Sequence, residues 1–168
     1  MDQEERREFV AKHRTAVFGF GRKSHGPAMS IVYYVMDDGD ILVSTMAERG
    51  KAKAVARNPK VSLAILDEQW PPTYLLVYGD ARIETEVDAA TDLSMRIAGV
   101  MAGEPMPEDV RPAVRDAAMD EQRVVLRVTP YGSFETPPRH VDSVDDLEGL
   151  THWTSSIMPK AKRAGYMN

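Results

Sequence analysis

The chain has 168 residues, 43% of them hydrophobic and 28% charged, and it contains no cysteine. This length and composition suit one globular domain with a real core, and they exclude a disordered chain, disulfides and cysteine-ligated metal sites. The formal net charge is −5, from 21 basic and 26 acidic residues, so the basic footprint of general nucleic-acid binding is missing. A local basic cluster on this acidic background therefore indicates a small anion held at one place.

The sequence also predicts a protein without a membrane segment. No apolar run approaches the length needed to cross a bilayer, and the charged start MDQEERREFV lacks the apolar core of a signal peptide. We therefore expect a cytoplasmic protein, which the lack of cysteine also fits.

Short strands alternate with a few helices along the chain. The expected elements are a helix over 2–13, strands over 15–20, 28–36 and 41–45, a helix over 48–58, strands over 61–67 and 73–85, helices over 88–101 and 110–120, and a strand over 122–129. In the first helix Phe9 and Val10 are expected to face inward. The sequence DDGD at 37–40 predicts a hairpin turn, because Asp-Gly tolerates positive φ. Pro59 is expected to stop the second helix and Asp88 to cap the third.

This order of elements predicts a mostly β fold, a six-stranded antiparallel β-barrel with peripheral helices. A meander of short strands with tight turns favours closure over a parallel sheet. The barrel domain is assigned to residues 1–130. Residues 131–168 are expected to form an irregular extension, with a short helix after Thr151, that packs on the barrel or on a partner subunit.

The segment VSTMAERGKAKAVARNP, residues 43–59, has an unusual charge pattern. A strand ends in Ser44 and Thr45, and the helix that follows begins with Arg49, Lys51 and Lys53. A helix N-terminus carries partial positive charge, so each cation there costs a few tenths to about 1 kcal/mol. A bound phosphate would reverse the sign of that cost. From charge alone, a solvated helix with outward lysines explains the pattern equally well, although Gly50 favours close approach of a ligand.

The run ILVSTMAERGKAKAVARNPKVSLAILDEQWPPTYLLVYGDARI, residues 41–83, resembles the pyridoxamine 5′-phosphate oxidase-like split-barrel superfamily, particularly its flavin- and deazaflavin (F420)-dependent oxidoreductases. The matching features are the strand ending in Ser44 and Thr45, Lys51, Asn58-Pro59 followed by a basic residue and Val61-Ser62-Leu63, and a further strand ending in Gly79. The stretch GPAMSIVYYV, 26–35, is similar to the family's second strand. The resemblance covers about residues 14–130.

The resemblance implies an FMN-binding split barrel, active as a homodimer with its cofactor at the subunit interface. Lys51 and Arg49 would grip the cofactor phosphate, with hydroxyl contacts from Ser44 and Thr45. Ser30 would lie along the ring system and Tyr74 near it. Lys53, Arg57, Arg22 and Lys23 are further candidates, as attractors of the oligoglutamate tail of F420, which is favoured over FMN as the cofactor.

The implied activity is hydride transfer between F420 or FMN and a small organic substrate. No acid or base residue is assigned, because the cofactor carries the chemistry in such enzymes. The chain ends in AKRAGYMN and lacks the arginine-bearing R-L-x-P type segment of true pyridoxamine phosphate oxidases, so that activity is not expected. A carrier of flavin or tetrapyrrole without redox turnover is the alternative. The scattered histidines predict no metal site, and Trp70 is expected to stack on the cofactor, line the dimer contact or pack on the barrel end.

Overall fold

The structure is a computed structural model that describes residues 1–67, 69 and 73–136, together with the backbone of a strand at 154–157. Its helices are α1 (Gln3–Lys12), α2 (Gly50–Arg57), α3 (Val87–Ala102) and α4 (Arg111–Asp120), with a 3₁₀ turn at Glu108–Val110. Its strands are β1 (Thr15–Phe20), β2 (Ala28–Asp37), β3 (Asp40–Met46), β4 (Lys60–Asp67), β5 (Thr73–Glu84), β6 (Arg123–Thr136) and β7 (Thr154–Ile157).

Six of these strands close into an antiparallel barrel. Their order is β3-β2-β1-β4-β5-β6, and β6 pairs with β3 to complete the ring. Only the first half of β6 closes the barrel, from Arg123 opposite Met46 to Val128 opposite Ile41. Its second half, Gly132–Glu135, pairs with β7 instead. The mostly β fold, a six-stranded antiparallel barrel with peripheral helices, is therefore confirmed.

Alternation along each strand fills the barrel interior with apolar side chains. Phe18, Leu63 and Val77 are fully buried there, as period-two burial requires. A second, smaller core lies outside the barrel wall, where α3 and α4 cover β2, β3 and β6. Its members are Val35, Leu42, Ala90, Leu93, Ala118 and Val125.

Helix α1 is fixed to the barrel by one buried hydrogen bond. The Tyr34 hydroxyl donates to the Val10 carbonyl oxygen at 2.6 Å, and Tyr34 is 2% exposed. Burial raises the pKa of Tyr34, so its hydroxyl stays a donor. Val10 is fully buried and Phe9 packs against the barrel core, which confirms the expected inward face of this helix.

Local sequence signals set two of the turns as predicted. Asp38 and Gly39 have φ of 47° and 82°, the positive values of a tight hairpin. Helix α2 ends at Arg57, and Asn58 is extended before Pro59. Proline disfavours helical geometry in the residue before it.

Several expectations were wrong. Asp88 lies inside the first turn of α3 and Glu86 occupies the cap position. Strand β6 continues past Thr129 to Thr136, because β5 and β7 supply partners for its second half. Residues 154–157 form strand β7 where a helix was expected. Trp70 and residues 137–153 and 158–168 lie outside the described residues, so the proposed packing of the extension and the division at residue 130 stay predictions. Within the described part of the chain, no helix is long and apolar enough to cross a membrane.

Gly79 permits a bulge in the middle of β5, where the pairing with β6 shifts between Tyr78 and Gly79. A Cβ at this position would lie 2.3 Å from Val128 Cγ1 and 3.1 Å from the Thr129 carbonyl oxygen. The glycine is therefore required by close approach of two strands, inside β5 and not at its end.

Gly79→Ala is expected to lower the free energy of unfolding by about 1–3 kcal/mol, because the added methyl overpacks the β5–β6 contact. Urea unfolding measures this. Gly21→Ala is the matched control, since nothing lies within 4 Å of a Cβ there, and its effect should stay within about 0.5 kcal/mol. Equal stability of the two variants would show that the bulge relaxes without cost.

Candidate cofactor-binding site

A cavity of about 340 Å³ opens at the end of the barrel where β3 runs into α2. Five segments contribute to it: the end of β1, the start of β2, the end of β3, the start of α2 and the start of β6. We call it the basic cavity, and its lining residues are Phe20, Ser30, Ser44, Thr45, Met46, Arg49, Gly50, Lys51 and Arg123.

The start of α2 presents backbone donors to this cavity. Arg49 is the cap residue, with extended backbone and no capping hydrogen bond from its side chain, and the first turn holds no acidic residue. The first N–H groups of a helix have no partner within it. A Cβ at Gly50 would reach only the Phe20 ring, at 4.0 Å, so packing does not require glycine here. Its missing side chain leaves the backbone edge of the cavity open.

Lys51 is held at the cavity by one hydrogen bond. Its Nζ donates to Ser30 Oγ at 2.9 Å across the gap between α2 and β2. Partial burial, and then the positive charge of Arg49, lower the pKa of Lys51. Both effects penalise the charged ammonium, so a bound anion would relieve a cost that the folded chain already carries.

Arg123, which the sequence interpretation missed, supplies a third cation. Its Nη1 donates to Ser44 Oγ at 3.2 Å and its Nε to Glu121 Oε2 at 2.6 Å. Arg123 and Ser44 are 79 positions apart in the chain and meet only because β6 pairs with β3. The sequence signal was a basic residue at the start of the last strand, which becomes informative once barrel closure is known.

The donor set of the basic cavity suits an anion. Three cations and three hydroxyl residues line it, and none of its lining residues is a carboxylate. Thr45 is 6% exposed and lies at the inner edge. Within the described part of the chain, Arg49 and Lys51 form no ion pair. Arg127, by contrast, is neutralised: its Nη1 lies 2.8 Å from Asp37 and its Nε 2.7 Å from Glu84.

Five of the seven predicted site residues come together in the basic cavity: Ser30, Ser44, Thr45, Arg49 and Lys51. Two do not line it. Lys53 is 54% exposed and pairs with Glu48 at 2.7 Å. Tyr74 is the second residue of β5 and pairs with Leu66 on β4. The cavity residue Phe20 pairs with Val61, at the other end of β4. Tyr74 therefore lies about 16 Å along the sheet from the cavity.

A larger groove, about 920 Å³, lies between α3 and residues 103–108. Its charged rim is internally paired, since Arg111 bonds to both Asp92 and Glu108. Arg96 likewise bonds to Asp37 and to the Met36 carbonyl oxygen. Free positive charge is therefore concentrated in the basic cavity and not here. The described residues hold no group of three or more metal-ligating side chains.

Solved structures resemble this fold at low sequence identity. A conserved hypothetical protein from Mycobacterium tuberculosis superposes with a TM-score of 0.72 and 23% identity, over 96% of this chain and 94% of that one. An F420 reductase superposes with a TM-score of 0.59 and 19% identity, over 75% and 93%. A heme binding protein from Mycobacterium smegmatis gives a TM-score of 0.57 and 16% identity, over 98% and 59%.

No curated protein sequence matches the chain significantly. The family described as pyridoxamine 5′-phosphate oxidase, however, matches residues 2–134. That range contains the whole closed barrel and every residue of the basic cavity, so the architecture is the split barrel that the sequence motifs implied. The chain belongs to the pyridoxamine 5′-phosphate oxidase family.

Proposed function

We propose that this protein is a cytoplasmic oxidoreductase that binds F420 or FMN by its phosphate in the basic cavity and uses it to reduce or oxidise a small organic substrate. The observation that carries the proposal is the set of three cations and three hydroxyl residues around one opening. Among the described residues Arg49 and Lys51 form no ion pair, and Lys51 is hydrogen-bonded to Ser30. An anion bearing several acceptor oxygens matches such a donor set.

The residues of the chain would bind and orient the cofactor. A bound flavin or deazaflavin supplies hydride transfer itself. Lys51 and Arg49 would hold the phosphate, together with the free N–H groups at the start of α2. Ser30 and Ser44 accept hydrogen bonds from cations, so their own hydroxyl hydrogens stay available to the phosphate. No side chain is assigned as an acid or base, so the proposed role of the protein is to bind and orient the cofactor.

We favour F420 over FMN on the arrangement of A-E-R-G-K at 47–51. The structural similarity to an F420 reductase supports this preference. Arg22 and Lys23, exposed in the turn after Phe20, would face the oligoglutamate tail of F420. In Lys53 the ammonium is already paired with Glu48, which makes it a weaker attractor of that tail. Equilibrium binding of both cofactors ranks them, and FMN-loaded protein would be yellow as purified.

Replacing Lys51 and Arg49 together by alanine is expected to reduce FMN affinity by at least about a hundredfold, because charge-assisted hydrogen bonds contribute about 1.5–3 kcal/mol each. Riboflavin has the same ring system without phosphate, so its affinity should change little. Fluorescence titration measures both ligands. Lys60→Ala is the matched control, since Lys60 pairs with Asp80 outside the cavity. Unchanged FMN affinity in the double variant would contradict the phosphate site.

A carrier of flavin or tetrapyrrole is the second candidate, supported by the heme binding protein of similar fold. Steady-state turnover separates the two. Reduced F420 or FMN is mixed with the protein and a panel of quinones, enones and tetrapyrroles, and cofactor absorbance is followed. We expect protein-dependent oxidation of the cofactor by at least one substrate, and loss of that rate in the variant with both Lys51 and Arg49 replaced. Tight binding without turnover across the panel would favour the carrier.

The proposed homodimer would form on an apolar outer face of the barrel. Ile31, Val17, Ala64 and Leu76 are successive cross-strand partners on β2, β1, β4 and β5, so they form one row. Ile31 is 77% exposed and Leu66 49%. Val17, Ala64 and Leu76 are partly exposed. A contiguous, partly exposed apolar row on a sheet is typical of a protein–protein contact. A second copy of this chain is the expected occupant, because the family resemblance implies a cofactor held between two subunits.

Ile31→Glu is expected to convert the dimer to a monomer, because it places a charge at the most exposed apolar residue of the proposed contact. Light scattering after size exclusion gives the mass, and thermal unfolding checks that the variant is folded. Met119→Glu on α4 is the control, since Met119 is also an exposed apolar residue, at 52%, but lies away from this face. A wild-type protein that is monomeric at micromolar concentration would contradict the proposal.

A further inference from the structure

The basic cavity has two halves. In one, Lys51 from α2 donates to Ser30 on β2. In the other, Arg123 from β6 donates to Ser44 on β3. Each half pairs one cation with one serine hydroxyl, and all four residues line the same cavity. The family motif at residues 41–83 includes Lys51 and Ser44. Arg123 lies outside that motif.

We propose that Arg123 is a binding residue of the phosphate site and that it acts from the barrel-closing strand, opposite Lys51. This inference rests on the proposed function of the basic cavity and adds to it a residue that determines phosphate specificity. Arg123 would contact the phosphate through its free guanidinium edge and would orient Ser44 as a second donor.

The hydrogen bonds of Arg123 leave part of its guanidinium available. Nε is bonded to Glu121 and Nη1 to Ser44, while Nη2 forms no hydrogen bond with the described residues. A guanidinium has five N–H donors in a planar fork. The fork can therefore hold Ser44 and an anion at once, which a lysine ammonium at the same position does less well.

Glu121 does not cancel the charge of Arg123. The Glu121 side chain is 42% exposed and the Arg123 side chain 32%, so water screens the pair and its energy is small. Glu121 accepts from Nε, whereas Ser44 accepts from Nη1, and Glu121 does not line the cavity. The two hydrogen bonds therefore hold the guanidinium of a residue that itself lines the cavity.

The cations donate hydrogen bonds to the serine oxygen atoms, so each serine hydroxyl can donate its own hydrogen elsewhere. A hydroxyl that accepts from an ammonium or guanidinium still carries one hydrogen to donate. Ser30 and Ser44 can each direct that hydrogen to an anion. The two halves would together surround a phosphate monoester with donors from α2, β2, β3 and β6, and a neutral ring hydroxyl would gain much less from them.

The test measures the ratio of FMN affinity to riboflavin affinity by fluorescence titration in Arg123→Gln, Arg123→Lys and Ser44→Ala. We expect the ratio to fall by about ten- to a hundredfold in Arg123→Gln, and by a smaller factor in Arg123→Lys and in Ser44→Ala. Riboflavin affinity should stay near the wild-type value in all three. Arg82→Ala is the matched control, because Arg82 is also a strand arginine paired with a glutamate two positions away, Glu84.

The outcomes separate this inference from the proposed function. If the ratio is unchanged in Arg123→Gln but collapses in Lys51→Ala, Arg123 only braces the strands and the inference is wrong. If neither variant changes the ratio, the phosphate site itself is wrong. Thermal unfolding with and without inorganic phosphate gives a second measurement, since a ligand of the native state raises stability. Loss of this phosphate-dependent shift in Arg123→Gln supports the inference, and a full wild-type shift in that variant overturns it.

Discussion

The pairing of β3 with β6 is the constraint on which the candidate site depends. It closes the barrel, and it places the end of β3, where Ser44 and Thr45 lie, against Arg123 at the start of β6. Because the chain leaves β3 directly into α2, the same closure holds the first turn of that helix at the barrel mouth. The consecutive elements β3 and α2 thus share one opening with β6, which is distant in the sequence.

Without a bound ligand, the candidate site lowers the stability of the folded chain. Lys51 is partly buried beside Arg49, and both its burial and that neighbouring charge lower its pKa. A depressed lysine pKa means that the folded state disfavours the ammonium, so this contribution to stability is unfavourable at neutral pH. It declines as pH rises above the lowered pKa and is gone above the ordinary lysine pKa. Arg127 shows the opposite arrangement, since carboxylates surround it. The contrast supports the proposed role of Lys51 in binding an anion.

Sequence reasoning captured what is local or periodic. The hairpin at Asp38-Gly39, the end of α2 before Pro59 and the cations at the start of that helix all follow from short-range chemistry, and the motif from 41 to 83 carried the family. Arg123 was missed because its role depends on contact with Ser44, which no local pattern records. The length of β6 was missed for a similar reason: β5 and β7 supply partners beyond Pro130. Asp88 had the right residue type for a cap but lies two positions too late.

A crystal structure of the protein with bound FMN would show directly whether the basic cavity binds the cofactor phosphate. We expect phosphate oxygens in the basic cavity, within about 3.2 Å of Lys51 Nζ, of the first N–H groups of α2 and of a serine hydroxyl. We also expect the ring system to extend from there along the barrel surface. A phosphate bound elsewhere, with Lys51 still donating only to Ser30, would contradict it.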